Sequence, residues 1–209
     1  MLNPVRMAVL VSGSGSNLQA LLDAQNHGLL RSGRITLVIS DNPGAFALER
    51  AGTAGVAALA FDRRALGATR VEELILSALV EQHIGLIVLA GFLMILSADF
   101  VKQYAGRIIN VHPSLLPAFC GKGYYGIKVH QAALTRGVKL SGATVHLVNE
   151  EPDGGPILMQ KAVRVLKGDT PESLQQRVLR QAEWRILPRA AETLCRQLLK
   201  EEYHADKAP

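Results

Sequence analysis

The chain has 209 residues, 48% of them apolar, and a formal net charge of +5. That length holds about one to one and a half typical domains and a sizeable core without disulfide or metal staples, which excludes disordered and fibrous classes. The longest stretch free of Asp, Glu, Lys and Arg, Gln82 to Ala98, is interrupted by His83, Gly85 and Gly91 and is shorter than the ~18 apolar residues needed to span a bilayer, so no membrane partner is expected.

The first strand is expected at Met7 to Val11. Before it, Met1 to Ser16 offers only a short apolar stretch and no signal-peptide h-region, so a cytoplasmic protein is expected. The strand runs into Ser12-Gly13-Ser14-Gly15-Ser16-Asn17 and a helix that opens with Leu18, Leu21 and Leu22 on one face. A glycine turn feeding a helix N-terminus presents free amides and a positive dipole to an anion, above all a phosphate. Leu18 stands where a dinucleotide fingerprint has its third glycine, and no Gly-Lys-Ser/Thr follows, so a monophosphate fits better than NAD or ATP. A turn whose glycines merely permit close packing, with Ser16 or Asn17 as a plain N-cap, fits the same residues.

Further strands are expected at Ile35 to Ser40, Val56 to Phe61, Leu86 to Ala90 and Arg107 to Val111, with helices between them. One helix carries Val71, Leu74, Ile75, Ala78 and Leu79 on a single face. Alternating strands and helices imply an α/β fold with an open, mostly parallel twisted sheet and helices on both faces. Beyond a glycine-rich connection, Pro117 to Ile127, come a helix with Val129, Ala132 and Ala133 inward and two strands, Ala143 to Val148 and Ile157 to Val165. These strands pair as an antiparallel hairpin around Glu150 to Pro156. A long helix starts after Thr170 with Pro171 in its first turn, Pro188 should kink or divide it, and the tail after Tyr203 should fray. One domain is expected, with an N-terminal phosphate-binding half of about 1–105 and a C-terminal half of about 106–209.

Cys120 and Cys195 lie far apart and make no metal-like cluster, so free thiols and no metal are expected. Lys161 to Lys200 holds nine Lys/Arg against four Asp/Glu, interspersed on a helical pattern with few aromatics. That reads as a solvated basic helix, not a nucleic-acid groove.

Asn110 and His112 are two apart on a strand and share a face at its C-terminal end, closed by Pro113. Ligands of open α/β sheets bind beyond the carboxyl ends of strands, and the glycine loop and Gly91 to Leu96 follow strands in the same way. An inert, hydrogen-bonded histidine is one reading of His112. The other is an amide and an imidazole that stabilise a developing oxyanion and move a proton. Asp153, in Glu151-Pro152-Asp153-Gly154-Gly155-Pro156, is the candidate carboxylate to raise the pKa of that histidine, although Asp-Gly-Gly is also a plain hairpin turn. His146 shares a face with Thr144 and is taken as structural or supporting.

Ser12-Gly13-Ser14-Gly15-Ser16-Asn17-Leu18, Ala90-Gly91-Phe92, Asn110-Val111-His112-Pro113-Ser114-Leu115-Leu116-Pro117 and Asp153-Gly154-Gly155-Pro156 together resemble the folate-dependent formyltransferases. The glycine-serine loop points within them to the phosphoribosylglycinamide formyltransferases. The resemblance spans nearly the whole chain, and it implies a Rossmann-like formyltransferase fold and direct formyl transfer from 10-formyltetrahydrofolate, as co-substrate, to the amine of glycinamide ribonucleotide in purine biosynthesis. It implies that Asn110, His112 and Asp153 are catalytic. Gly15, Ser16 and Asn17 would hold the ribose phosphate and Glu183 the sugar hydroxyls. The folate would lie against Leu93, Met94, Ile95, Leu96 and Val101, with Asn110 and the turn Asn149, Glu150, Glu151, Pro152 and Asp153 around the pterin and Arg64 near its tail. No metal, nucleic acid or membrane is implied, and the protein would be a monomer or homodimer.

Three departures stand out. Met94 occupies a place where the family often has Arg. Trp184 follows Glu183 where His is common, in a helix one residue longer than in some members, and the loop Ala118 to Ile127 is long. Methionyl-tRNA formyltransferase would need a further C-terminal domain and formyltetrahydrofolate deformylase a further N-terminal one, so neither is expected. A basic phosphoribosyl- or RNA-binding protein would leave Asn110 and His112 idle.

Overall fold

Val5–Val11 forms strand β1, buried from Met7 onward as the near-continuous apolar run of a parallel sheet must be. The computed structural model describes residues 3–205. It divides into two compact units, one running to Met94 and taking in the chain from Pro188 on, the other Ile95–Leu187.

In the first unit β1 pairs in parallel with β2 (Gly33–Ser40) and with β4 (Leu86–Leu89), and β2 pairs in parallel with β3 (Ala57–Ala60). The order is β3-β2-β1-β4. Helices α1 (Ser16–Asn26), α2 (Phe46–Thr53), α3 (Arg63–Leu66) and α4 (Ala68–Glu81) connect them. The expected strands all form. β3 is shorter than Val56 to Phe61: Ala57–Ala60 pairs with β2, and Phe61 adds a single amide bond to the Ser40 carbonyl at 2.9 Å. α4 buries Val71, Ile75, Ala78 and Leu79, while Leu74 is half-exposed at the edge of that face.

The second unit holds α5 (Ala98–Gln103), β5 (Ile108–His112), α6 (Ile127–Arg136), β6 (Leu140–Leu147), β7 (Ile157–Arg164) and α7 (Pro171–Val178). β5 and β7 both run antiparallel to β6, and Leu147 N–H bonds the Pro156 carbonyl across the hairpin end at 2.9 Å. On α6 the buried residues are Val129, His130 and Ala133. Ala132 is only half-buried, and a histidine takes the inward place that the apolar pattern had given it.

The long C-terminal helix is divided, but not at Pro188. After α7 the chain widens into a π segment, Leu179–Glu183, where the Trp184 amide reaches back five residues to the Leu179 carbonyl. Helix α8 (Trp184–Ala205) then includes Pro188. Pro188 cannot donate to the carbonyl four residues back and its ring crowds that group, so placing the irregularity in the preceding turn leaves the rest of α8 regular. α8 continues past Tyr203 to Ala205, and residues 206–209 lie outside the described ones.

From Pro188 on, α8 belongs with the first unit. Glu192 accepts from the amides of Arg31 and Ser32 and from Ser32 Oγ at 2.8–2.9 Å. Gly33 lets the helix come close: a Cβ there would lie 2.5 Å from Met7 Sδ and 2.6 Å from Cys195 Sγ. Both cysteines are free thiols, and no helix among the described residues is long and apolar enough to cross a membrane.

Thr170 and Ser173 cap α7 reciprocally, at 3.2 and 3.0 Å, with Pro171 at its start. Asp169 accepts from Arg177 Nη2 at 2.6 Å and from the Leu166 amide at 2.7 Å. The Arg177 guanidinium holds the Asp169 carboxyl well below the usual carboxylate range. A depressed carboxylate stabilises the fold above its unfolded pKa and loses that contribution as pH falls through its folded value. Asp169→Asn should therefore cost about 1–2 kcal/mol at pH 7, and this difference from wild type should shrink on acidification, as read by urea unfolding at several pH values.

Candidate active site

The antiparallel register of β5 and β6 sets Asn110 opposite His146 and His112 opposite Thr144. The hairpin that follows β6 returns Asp153 to the same place. Asp153 Oδ2 lies 3.5 Å from His112 Nδ1, and its Oδ1 lies 3.4 Å from Asn110 Nδ2 and 3.6 Å from His146 Nε2. The amide, imidazole and acid expected from remote stretches of sequence therefore meet. His112 is 4% exposed and His146 2%, so little water screens the group.

Backbone groups complete the arrangement. His112 Nε2 donates to the Phe119 carbonyl at 2.8 Å, and the Gly121 amide donates to Asp153 Oδ2 at 2.9 Å. Asp153 and Phe119 both sit at positive φ, +58° and +52°. The segment Ser114 to Ala118 is anchored to β6 and β7. Thr144 Oγ1 donates to the Ser114 carbonyl at 2.7 Å and accepts from the Leu116 amide at 3.1 Å, while Gln160 Nε2 donates to the Leu116 carbonyl at 3.1 Å.

Burial is the largest influence on His112 and pushes its imidazole below the ordinary value, against the upward pull of the Asp153 carboxylate and the Phe119 carbonyl. The expectation of a net rise is corrected: the carboxylate acts in the expected sense, but desolvation outweighs it. For Asp153, burial alone would raise the pKa. The adjacent His146 ring, the charge of His112 and the Gly121 amide outweigh it and keep the carboxyl below its usual range. His146 Nδ1 donates to the Leu147 carbonyl at 2.8 Å, which leaves Nε2 to accept from Asn110 Nδ2 at 3.2 Å. One amide hydrogen of Asn110 is thus fixed, and the other, only weakly engaged by Asp153, is available to a developing oxyanion.

In the first unit Gly15, at φ +71°, precedes α1, Ser16 opens it and Asn17 is buried. A side chain on Gly15 would meet Ala47 Cβ at 2.7 Å. The loop carbonyls are tied to the β2–α2 segment: Asn42 Nδ2 holds that of Ser12 at 3.3 Å, the Ala47 amide that of Gly13 at 3.1 Å, and Arg50 Nε that of Ser14 at 2.8 Å.

The model of the family described as formyl transferase matches residues 5–191. The chain belongs to the formyl transferase family. It is 42% identical over 180 residues to the phosphoribosylglycinamide formyltransferase of Escherichia coli (strain K12), covering 83% of this chain and 80% of that protein. It is 43% identical over 187 residues to the trifunctional purine biosynthetic protein adenosine-3 of Drosophila melanogaster, covering 88% of this chain but only 13% of that protein. The crystal structure of glycinamide ribonucleotide transformylase 1 from Symbiobacterium toebii superposes with a TM-score of 0.86 at 42% identity, over 93% of this chain and 89% of that one. The α/β fold expected from the sequence is the one this formyl transferase has.

The other expected site residues of this family member are distributed as follows. Leu93 and Ile95 are exposed and Leu96 is half-buried, whereas Met94 and Val101 are buried. Asn149, Glu150, Glu151 and Pro152 form an exposed turn, with Glu150 Oε1 3.7 Å from Lys102 Nζ. Arg64 is exposed on α3, whose start is capped by the Asp62 carboxylate. Glu183 is buried within the π segment.

Backbone groups and a buried histidine escaped the sequence. His146, read from the sequence as structural or supporting, bonds the Asn110 amide directly, a contact that only the register reveals. The Phe119 carbonyl has no side-chain signature, and Gly121, at φ +80°, lies within the glycine-rich connection Pro117 to Ile127. His130, fully buried, has no hydrogen-bond partner at either ring nitrogen among the described residues and is pushed down to about 4, first by burial and then by the nearby charge of His112.

Proposed function

We propose that this chain transfers the formyl group of 10-formyltetrahydrofolate to the amine of 5'-phosphoribosylglycinamide, giving formylglycinamide ribonucleotide and tetrahydrofolate in purine biosynthesis. The meeting of Asn110, His112 and Asp153 carries this reading, and the names of the relatives support it. The amine nitrogen attacks the formyl carbon, the carbonyl electrons move onto oxygen, and the amine loses a proton. Asn110 donates an amide hydrogen to the oxyanion. His112, released from Phe119, hands a proton to the departing folate nitrogen while the amine proton leaves through water. Asp153 stabilises the imidazolium form of His112. When the oxyanion collapses, the bond from carbon to the folate nitrogen breaks.

In this reading Gly15, Ser16 and Asn17 hold the ribose phosphate and Glu183 the sugar hydroxyls. Leu93, Met94, Ile95, Leu96, Val101, Asn110 and Asn149 to Asp153 receive the folate, with Arg64 near its tail. The protein works in the cytoplasm as a monomer or homodimer, with no metal, and without nucleic acid or membrane. The test mixes the protein with 10-formyltetrahydrofolate and glycinamide ribonucleotide and follows both products. Formylated nucleotide formed in equal amount to tetrahydrofolate is expected. Folate release at the same rate without the nucleotide would replace this reading with a deformylase, and no turnover at all would overturn it.

A further inference from the structure

We propose that Arg50, on α2, is a positioning residue for the phosphate loop, turning its amides outward by holding its carbonyls from behind. This rests on the reading of Gly15 to Asn17 as the phosphate site. In a planar trans peptide the C=O and N–H point in opposite directions, so fixing a carbonyl also fixes the next residue's amide. The carbonyls of Ser12, Gly13 and Ser14 are bound in succession by Asn42, the Ala47 amide and Arg50. All three ties come from the β2–α2 segment, so the N–H groups of Gly13, Ser14 and Gly15 point away from it. Among the described residues none of these three amides bonds a protein acceptor. Three successive amides turned to one side, next to the N-terminus of α1, form a concave donor set suited to a phosphate dianion.

Arg50 holds the tie nearest the helix and is itself held on three sides. Nε donates to the Ser14 carbonyl at 2.8 Å, Nη1 donates to Gln19 Oε1 at 2.9 Å, and the guanidinium lies 4.9 Å from the centre of the Phe46 ring. One planar fork thus joins the loop, the first turn of α1 and α2. A lysine cannot do this, because its single ammonium lacks the fork that reaches two acceptors and stacks on a ring. Gly15 belongs to the same device, since it is the missing side chain there that lets Ala47 come close enough to bond the Gly13 carbonyl.

The test compares wild type with Arg50→Lys and with Gln19→Ala, which removes the second anchor but leaves residue 50 intact. Readouts are KM for each substrate, kcat, the inhibition constant of inorganic phosphate and the thermal midpoint. Arg50→Lys should raise KM for glycinamide ribonucleotide and the phosphate inhibition constant together by about 10-fold, the loss of one well-placed charge-assisted hydrogen bond. Gln19→Ala should raise them less, while kcat and the folate KM move less than about twofold in both variants. If Arg50→Lys binds phosphate like wild type, or if only the thermal midpoint falls, the proposal is overturned. If Arg50→Lys does not fold, an unchanged phosphate constant in Gln19→Ala overturns it. Wild type that forms formylated product without any inhibition by phosphate would instead refute the phosphate-loop reading itself.

Discussion

Replacing Asp153 by Asn should lower kcat by about 1000-fold while the fold survives. The backbone at this position sits at φ +58°, a left-handed conformation that Asn tolerates as readily as Asp, so the exchange does not strain the turn. Asn retains an oxygen to accept from the Gly121 amide, now 2.9 Å away, and loses only the charge. That charge is what opposes the effect of burial on His112 from 3.5 Å. Without it the imidazolium is less stable, so the His112 titration should move further down in the variant than in wild type, by NMR. The same variant should keep a thermal midpoint within a few degrees of wild type. Near-normal turnover in Asp153→Asn would remove Asp153 from the mechanism.

His112→Ala should lower kcat by at least about 100-fold, with KM for both substrates changed much less, because the imidazole acts on the transferring proton and not on ground-state binding. The side chain is 4% exposed, and its removal leaves a space bordered by Asp153 and the Phe119 carbonyl. Asn110 remains to stabilise the oxyanion, so some turnover should persist above the uncatalysed rate. Single-turnover measurement separates this loss from slow product release, and full activity would show that another group moves the proton.

What could be read from the sequence was whatever side-chain chemistry and period express. The parallel strands of the first unit are short apolar runs, and Asn110 and His112 share a face by simple alternation. Asp153 was legible only as a candidate, because a carboxylate in an Asp-Gly-Gly turn is equally the mark of a plain hairpin. Register was not legible, and with it went the bond of His146 to Asn110, which exists only because β6 pairs antiparallel to β5 at that offset. Backbone donors and acceptors were also hidden, since Phe119 acts through its carbonyl and Gly121 through its amide. The sign of the His112 shift failed for a related reason: a sequence suggests a neighbouring carboxylate, but the extent of burial is known only after the chain has folded.

The π segment acts as a slack link in the C-terminal helical rod. Each residue added to an ordinary α-helix rotates everything beyond it by about 100°, whereas a five-residue loop-back takes up the addition locally. The positions that follow, Ala190, Ala191, Leu194 and Cys195, face the core. Descendants of this chain could gain or shed one residue between Leu179 and Glu183 more safely than anywhere after Pro188, where the same change would swing Arg189 or Arg196 toward the interior.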